Sequence, residues 1–94
     1  MRYVYPCVMY LDESAGYGVW FPDVKGAYTS GLTLHEALYN AEDVLNFALE
    51  SAEDDGDEIL PPTPLEKVKL EDGEFVTLIK ADTDAYRKLY LDNE

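Results

Sequence analysis

Between Thr33 and Ala52 the chain commits itself to a helix. Thr33, Leu34, His35 and Glu36 form a capping box. The Thr33 hydroxyl accepts from the Glu36 amide, and the Glu36 carboxylate reaches back to the helix start. Behind the box, Leu34, Leu38, Ala41, Leu45, Ala48 and Ala52 recur at helical spacing. At about 100° per residue they fall within about 40° of one line, with Ala37, Val44 and Leu49 at its flanks. The pattern predicts a helix of about twenty residues with one buried stripe, stopped at Gly56. A helix apolar on one stripe needs a second layer to cover it.

The preceding residues supply that layer. Residues 3–11 are apolar on both faces, with Tyr3, Tyr5, Cys7, Met9 and Leu11 on one and Val4, Val8 and Tyr10 on the other. This predicts a strand covered on both sides. Pro6 removes one ladder donor, so an exposed side or an irregular start is expected there. Residues 12–16 are a polar loop ending in glycine. Residues 17–22 form a second strand with Tyr17, Val19 and Phe21 on one side and Trp20 on the other. Pro22 to Gly26 reads as a turn, and residues 27–30 as a short third strand.

After the helix, residues 54–74 are an acidic and proline-rich connection. Pro61, Pro62 and Pro64 stiffen it, and one helical turn is expected near 64–68. Residues 75–81 form a fourth strand. Asp82 or Thr83 caps a last short helix with Tyr86, Leu89 and Tyr90 on one side. The order β-β-β-α-β with a short C-terminal helix predicts an α+β two-layer sandwich, one domain over residues 1–94.

The formal net charge is -13, and no Lys or Arg stands between Lys25 and Lys67. Nucleic-acid affinity comes mostly from Lys and Arg neutralising phosphates, so direct nucleic-acid binding by this chain is not expected. A basic protein is the natural complement. Eight tyrosines and one tryptophan add surface of the kind enriched where proteins meet. The single cysteine, Cys7, sits in an apolar run and reads as a small core residue in a reducing, cytoplasmic protein. The first residues lack the long apolar run of a signal peptide, and no stretch has membrane-span length and hydropathy.

No catalytic constellation is visible. His35 has neither a second histidine nor a nearby cysteine to form a zinc site or a triad. A metal-dependent hydrolase needs carboxylates converging from rigid elements, and residues 3–11 contain none. The acidic run 53–58 lacks the alternating spacing of a calcium loop. No catalytic residue, metal ligand or cofactor is therefore expected. The candidate partner-binding residues lie on the helix side opposite the apolar stripe. Tyr39 and Phe47 stand there among Glu36, Asp43, Glu50 and Asp54. Trp20 and Asp23 join them by proximity to the turn after the second strand.

The segments in order resemble the HicB family of antitoxins. The carriers are Tyr5-Pro6, the loop ending at Gly16, YGVWFPDVKG at 17–26, SGLTLHEALYNAEDVLNFAL at 30–49, and the later FVTLIKADTDAYRK. The resemblance implies a truncated, degenerate ribonuclease H-like fold without that enzyme's active site. It also implies a partner, a small basic HicA-like toxin ribonuclease that cleaves mRNA, neutralised by covering its RNA-binding and active-site surface. Many family members continue into a DNA-binding segment. Nothing after Ala81 is long or basic enough for one, so no DNA-binding domain is expected. The alternative role is that of a solitary, self-associating domain, a dimer or higher homo-oligomer.

Overall fold

The first strand, β1 (Arg2–Asp12), is the centre of everything else. Its β-branched and aromatic residues suit a pleated surface packed on both flanks. On one side it pairs with β2 (Gly16–Trp20), in register from Val8↔Trp20 to Asp12↔Gly16. On the other it pairs with β4 (Glu74–Asp82), from Arg2↔Asp82 to Tyr10↔Glu74. β3 (Tyr28–Gly31) adds to β2, giving an antiparallel sheet of order β3-β2-β1-β4. The computed structural model describes residues 1–90; Leu91–Glu94, with the expectation attached to the chain's end, lie outside them.

Pro6 does not disturb β1. It pairs in register with Leu78 of β4, and the ladder to β2 stops at Val8. On the β2 side Pro6 therefore faces no strand, which gives the exposed side of the strand expected there.

The helix α1 (Leu34–Asp55) lies across one face of the sheet. The Thr33 hydroxyl accepts from the Glu36 amide at 3.1 Å, as the capping box requires. The returning Glu36 carboxylate accepts from the Leu32 amide at 3.0 Å, one residue before the cap. Gly56 stops the helix with φ 71°. The Asp57 amide donates to the Ala52 carbonyl and that of Gly56 to Glu53, which is a Schellman end. Ala37, Ala41, Leu45 and Leu49 pack on Tyr5, Cys7, Met9, Val19 and Phe21 in one core. Burial pushes the Cys7 thiol up to about 12, so it behaves as a packed hydrophobe.

The other face of the sheet departs from the expectation that β1 is covered on both sides. Val8 is fully buried, flanked in register by Trp20 and Val76. Val4, Tyr10, Trp20, Tyr28 and Leu78 remain exposed. An antiparallel sheet is free to leave one face open, because its short connections need no helix there.

A short 3₁₀ turn (Leu65–Lys67) precedes β4, near the expected place. The last helix, α2 (Thr83–Tyr90), follows β4 directly. The Asp82 carboxylate caps it by accepting from the Ala85 amide at 3.1 Å. α2 turns back along α1, with Arg87 at Glu50 and Glu53 and its last turn beside Tyr39 and Asp43.

Candidate partner-binding surfaces

The eight candidate residues do not form one patch. Glu36, Asp43 and Asp54 are exposed on α1, as are Tyr39 and Phe47. These two aromatics border different grooves. Tyr39 lines the cleft between α1 and α2, and Phe47 lines the groove toward Val24 and Ile59. Trp20 points to the open face of the sheet, away from α1, because its neighbour Val19 faces the core.

Three of the eight are engaged within the chain, Glu36 through the Leu32 amide at the helix start, and Asp23 and Glu50 elsewhere. Both oxygens of Asp23 accept from Thr63, one from its amide at 2.8 Å and one from its hydroxyl at 2.6 Å. Asp23 thus ties the β2–β3 turn to the connection after α1. Glu50 shares the helical angle of the outer residues, yet it is only 8% exposed. α2 covers that flank and sets Arg87 against it, with Nε 3.5 Å from the Glu50 carboxylate. The same guanidinium lies 2.9 Å from Glu53. Glu50 is therefore a structural ion-pair partner and offers no free surface.

Glu53 is the hub of this junction. Its carboxylate accepts from the hydroxyls of Tyr3 and Thr83 as well as from Arg87. Burial alone raises the pKa of such a group, but these three hydrogen bonds outweigh it and hold the carboxyl below its usual value. Burial, reinforced by Glu53, pushes the Tyr3 phenol up to about 12. Asn46 adds a second tie, donating to the Glu42 carbonyl and accepting from the Asp82 amide at 3.0 Å.

What is left for a partner is acidic. Glu42, Asp43, Asp54, Asp55, Asp57 and Glu58 are exposed along α1 and just past its end. Among the described residues no ion pair reaches any of them. Nor do any three His, Cys, Asp or Glu side chains there converge as a metal site. No helix of the described residues is long and apolar enough to cross a membrane.

A family model described as the HicB-like antitoxin of bacterial toxin-antitoxin systems matches residues 5–88. The chain belongs to the HicB-like antitoxin family. The resemblance carried by the motifs is thereby borne out. Antitoxin HicB 1 of Photorhabdus laumondii is 41% identical over 61 residues, covering 65% of this chain and 39% of that protein. The chain spans less than half the length of the curated relatives it matches.

Several solved structures share the fold, two of them toxin–antitoxin complexes. One is a toxin–antitoxin complex from Streptococcus pneumoniae, with TM-score 0.82 and 22% identity over 92% of this chain and 73% of that one. The other is the HicA3 and HicB3 toxin-antitoxin complex, with TM-score 0.68 and 22% identity over 84% of this chain and 98% of that one. They support the α+β sandwich with an antiparallel four-stranded sheet.

Proposed function

We propose that this HicB-like chain is the toxin-binding part of an antitoxin. It docks a small basic ribonuclease of the HicA type and covers the surface that the toxin presents to RNA. The observation that carries this reading is the set of unpaired carboxylates along α1 and just past Gly56, in a stretch with no Lys or Arg from 26 to 66. A surface built to attract phosphate is also complementary to such a row of carboxylates. The family supports it, as does the HicA3–HicB3 complex among the structures of this fold. The chain acts by occupying that surface, without chemistry of its own.

Co-expression with a small basic HicA-type protein tests the reading. Copurification is expected, together with loss of the partner's RNA cleavage. Reversing Asp54, Asp55 and Glu58 to lysine is expected to slow association about tenfold, an effect that fades toward ~0.5 M salt. Full inhibition by the reversed variant, with unchanged association at low salt, would remove the acidic row from the interface.

The open sheet face favours a second contact, with another copy of this chain. Tyr28 is 72% exposed and neighbours Trp20 in register, and Tyr10, Val4 and Leu78 lie on the same face of the sheet. The outer helix face repels a second molecule of charge -13, whereas the sheet face meets it with mostly uncharged side chains. Sedimentation is expected to show a dimer that Tyr28→Asp dissociates and Phe47→Asp does not. The reverse pattern would place the self-contact on α1.

A further inference from the structure

The cleft between α1 and α2 holds a combination that the acidic row alone does not. Tyr39, Tyr86 and Tyr90 line it together with Glu42 and Asp43. Its volume is about 240 Å³. That is smaller than the usual pocket for a drug-sized ligand and suits one long side chain. The Tyr86 and Tyr90 ring centroids are 4.8 Å apart and the rings are tilted by 46°, so they pack against each other without stacking flat. Tyr39 and Asp43 on α1 line the cleft opposite Tyr86 and Tyr90 on α2. Tyr39 and Tyr90 are more than half exposed, so the cleft is entered directly from solvent.

Tyrosine faces carry negative quadrupole charge and attract a cation laid over them. A planar guanidinium also stacks on such a ring while its edge donates to a carboxylate. An ammonium does the first but not the second. We propose that this tyrosine-and-carboxylate cleft receives an arginine side chain of a basic protein partner. Asp43 and Glu42 accept from the guanidinium edge, and the face of one of the tyrosine rings holds its plane. The proposal rests on the antitoxin reading for the partner's identity but not for the site's chemistry.

The test uses the free protein and a small probe. Nα-acetyl-arginine amide is titrated while the ring signals of Tyr86 and Tyr90 are followed by NMR. A saturable shift is expected, with a dissociation constant on the order of 10 mM. Nα-acetyl-lysine amide is expected to bind about threefold more weakly, and the norleucine amide to leave the signals in place. Asp43→Asn and Tyr39→Leu, both at exposed positions, are each expected to weaken the arginine probe by about threefold. Absence of saturation by ~100 mM probe, or an equal shift from the norleucine amide, overturns the site. A lysine probe binding as well as arginine overturns the guanidinium assignment. A failed titration beside intact toxin binding rejects the cleft alone; a saturable one beside no toxin binding rejects only the antitoxin reading.

Discussion

Gly31→Ala is expected to destabilise this chain strongly. Gly31 ends β3 and is buried under the first turn of α1. A Cβ built there would stand 2.4 Å from the Ala37 amide nitrogen and 2.7 Å from the Ala37 Cα. Both are backbone atoms of α1, so no rotamer change relieves the contact. The helix would have to lift from the sheet at the end where the capping box fixes it. Overpacking of this kind costs about 3 kcal/mol. Urea unfolding is the measurement, with the midpoint falling and its slope unchanged.

Gly18→Ala is the control. Its Cβ would meet the Tyr10 ring at 2.1 Å, a closer contact on paper. That ring is the far end of a half-exposed side chain on the open face and swings aside. A loss of about 1 kcal/mol or less is expected. Equal losses from the two glycines would mean that α1 does not sit on Gly31 as described. The comparison bears on function as well. Every acidic residue assigned to the partner lies on α1 or after it, so its seat on β3 positions the surface.

Much of this fold was legible because its signals are local. Thr33 and Glu36 are three residues apart, the apolar stripe repeats within one helix, and Gly56 needs only its own backbone freedom. The succession of the first three strands followed from short connections closed by glycine, whereas the pairing of β4 with β1 did not, because a helix and a long connection separate them. The docking of α2 was not legible. Arg87 finds Glu50 and Glu53 across more than thirty residues, and the chain contains 20 carboxylates from which to choose. Helical geometry placed Glu50 opposite the stripe correctly, but that flank is covered by a helix from elsewhere in the chain. Tyr39 likewise reads as an isolated exposed aromatic until α2 brings Tyr86 and Tyr90 beside it. The clustering of Tyr86, Leu89 and Tyr90 on one side of the last helix was the available signal. What it lacked was the partner face.

The junction of α1 and α2 yields the second large effect, expected from Arg87→Met. The side chains of Arg87, Glu50 and Glu53 are 26%, 10% and 16% exposed. Removing the guanidinium leaves two largely buried carboxylates facing each other without a cation. Breaking a buried pair in this way costs far more than the pair itself contributes. A fall of about 10 °C in Tm near neutral pH is expected. Hydrogen exchange of the α2 amides should accelerate more than that of α1. The pH dependence separates charge from packing. The folded-state pKa of Glu53 is depressed, so its stabilising contribution is complete above the ordinary value of about 4.5 and is lost as pH falls through the lower folded value. In the Met variant Glu53 lacks its cation and takes up its proton at higher pH. The gap between the two proteins should therefore narrow as pH falls from about 4.5 through the lower folded value of the wild type. Adding Glu50→Gln and Glu53→Gln to Arg87→Met should recover part of the loss near neutral pH, since no buried charge is then left unpaired. A gap that stays constant across the acid range, with no recovery from the glutamines, would assign the effect to the packing of the arginine stem. The cleft beside this junction gives a second readout. If α2 is held by the Arg87 pair, loosening it separates Tyr86 and Tyr90 from Tyr39, and the arginine probe should lose its saturable binding while the acidic row on α1 stays in place.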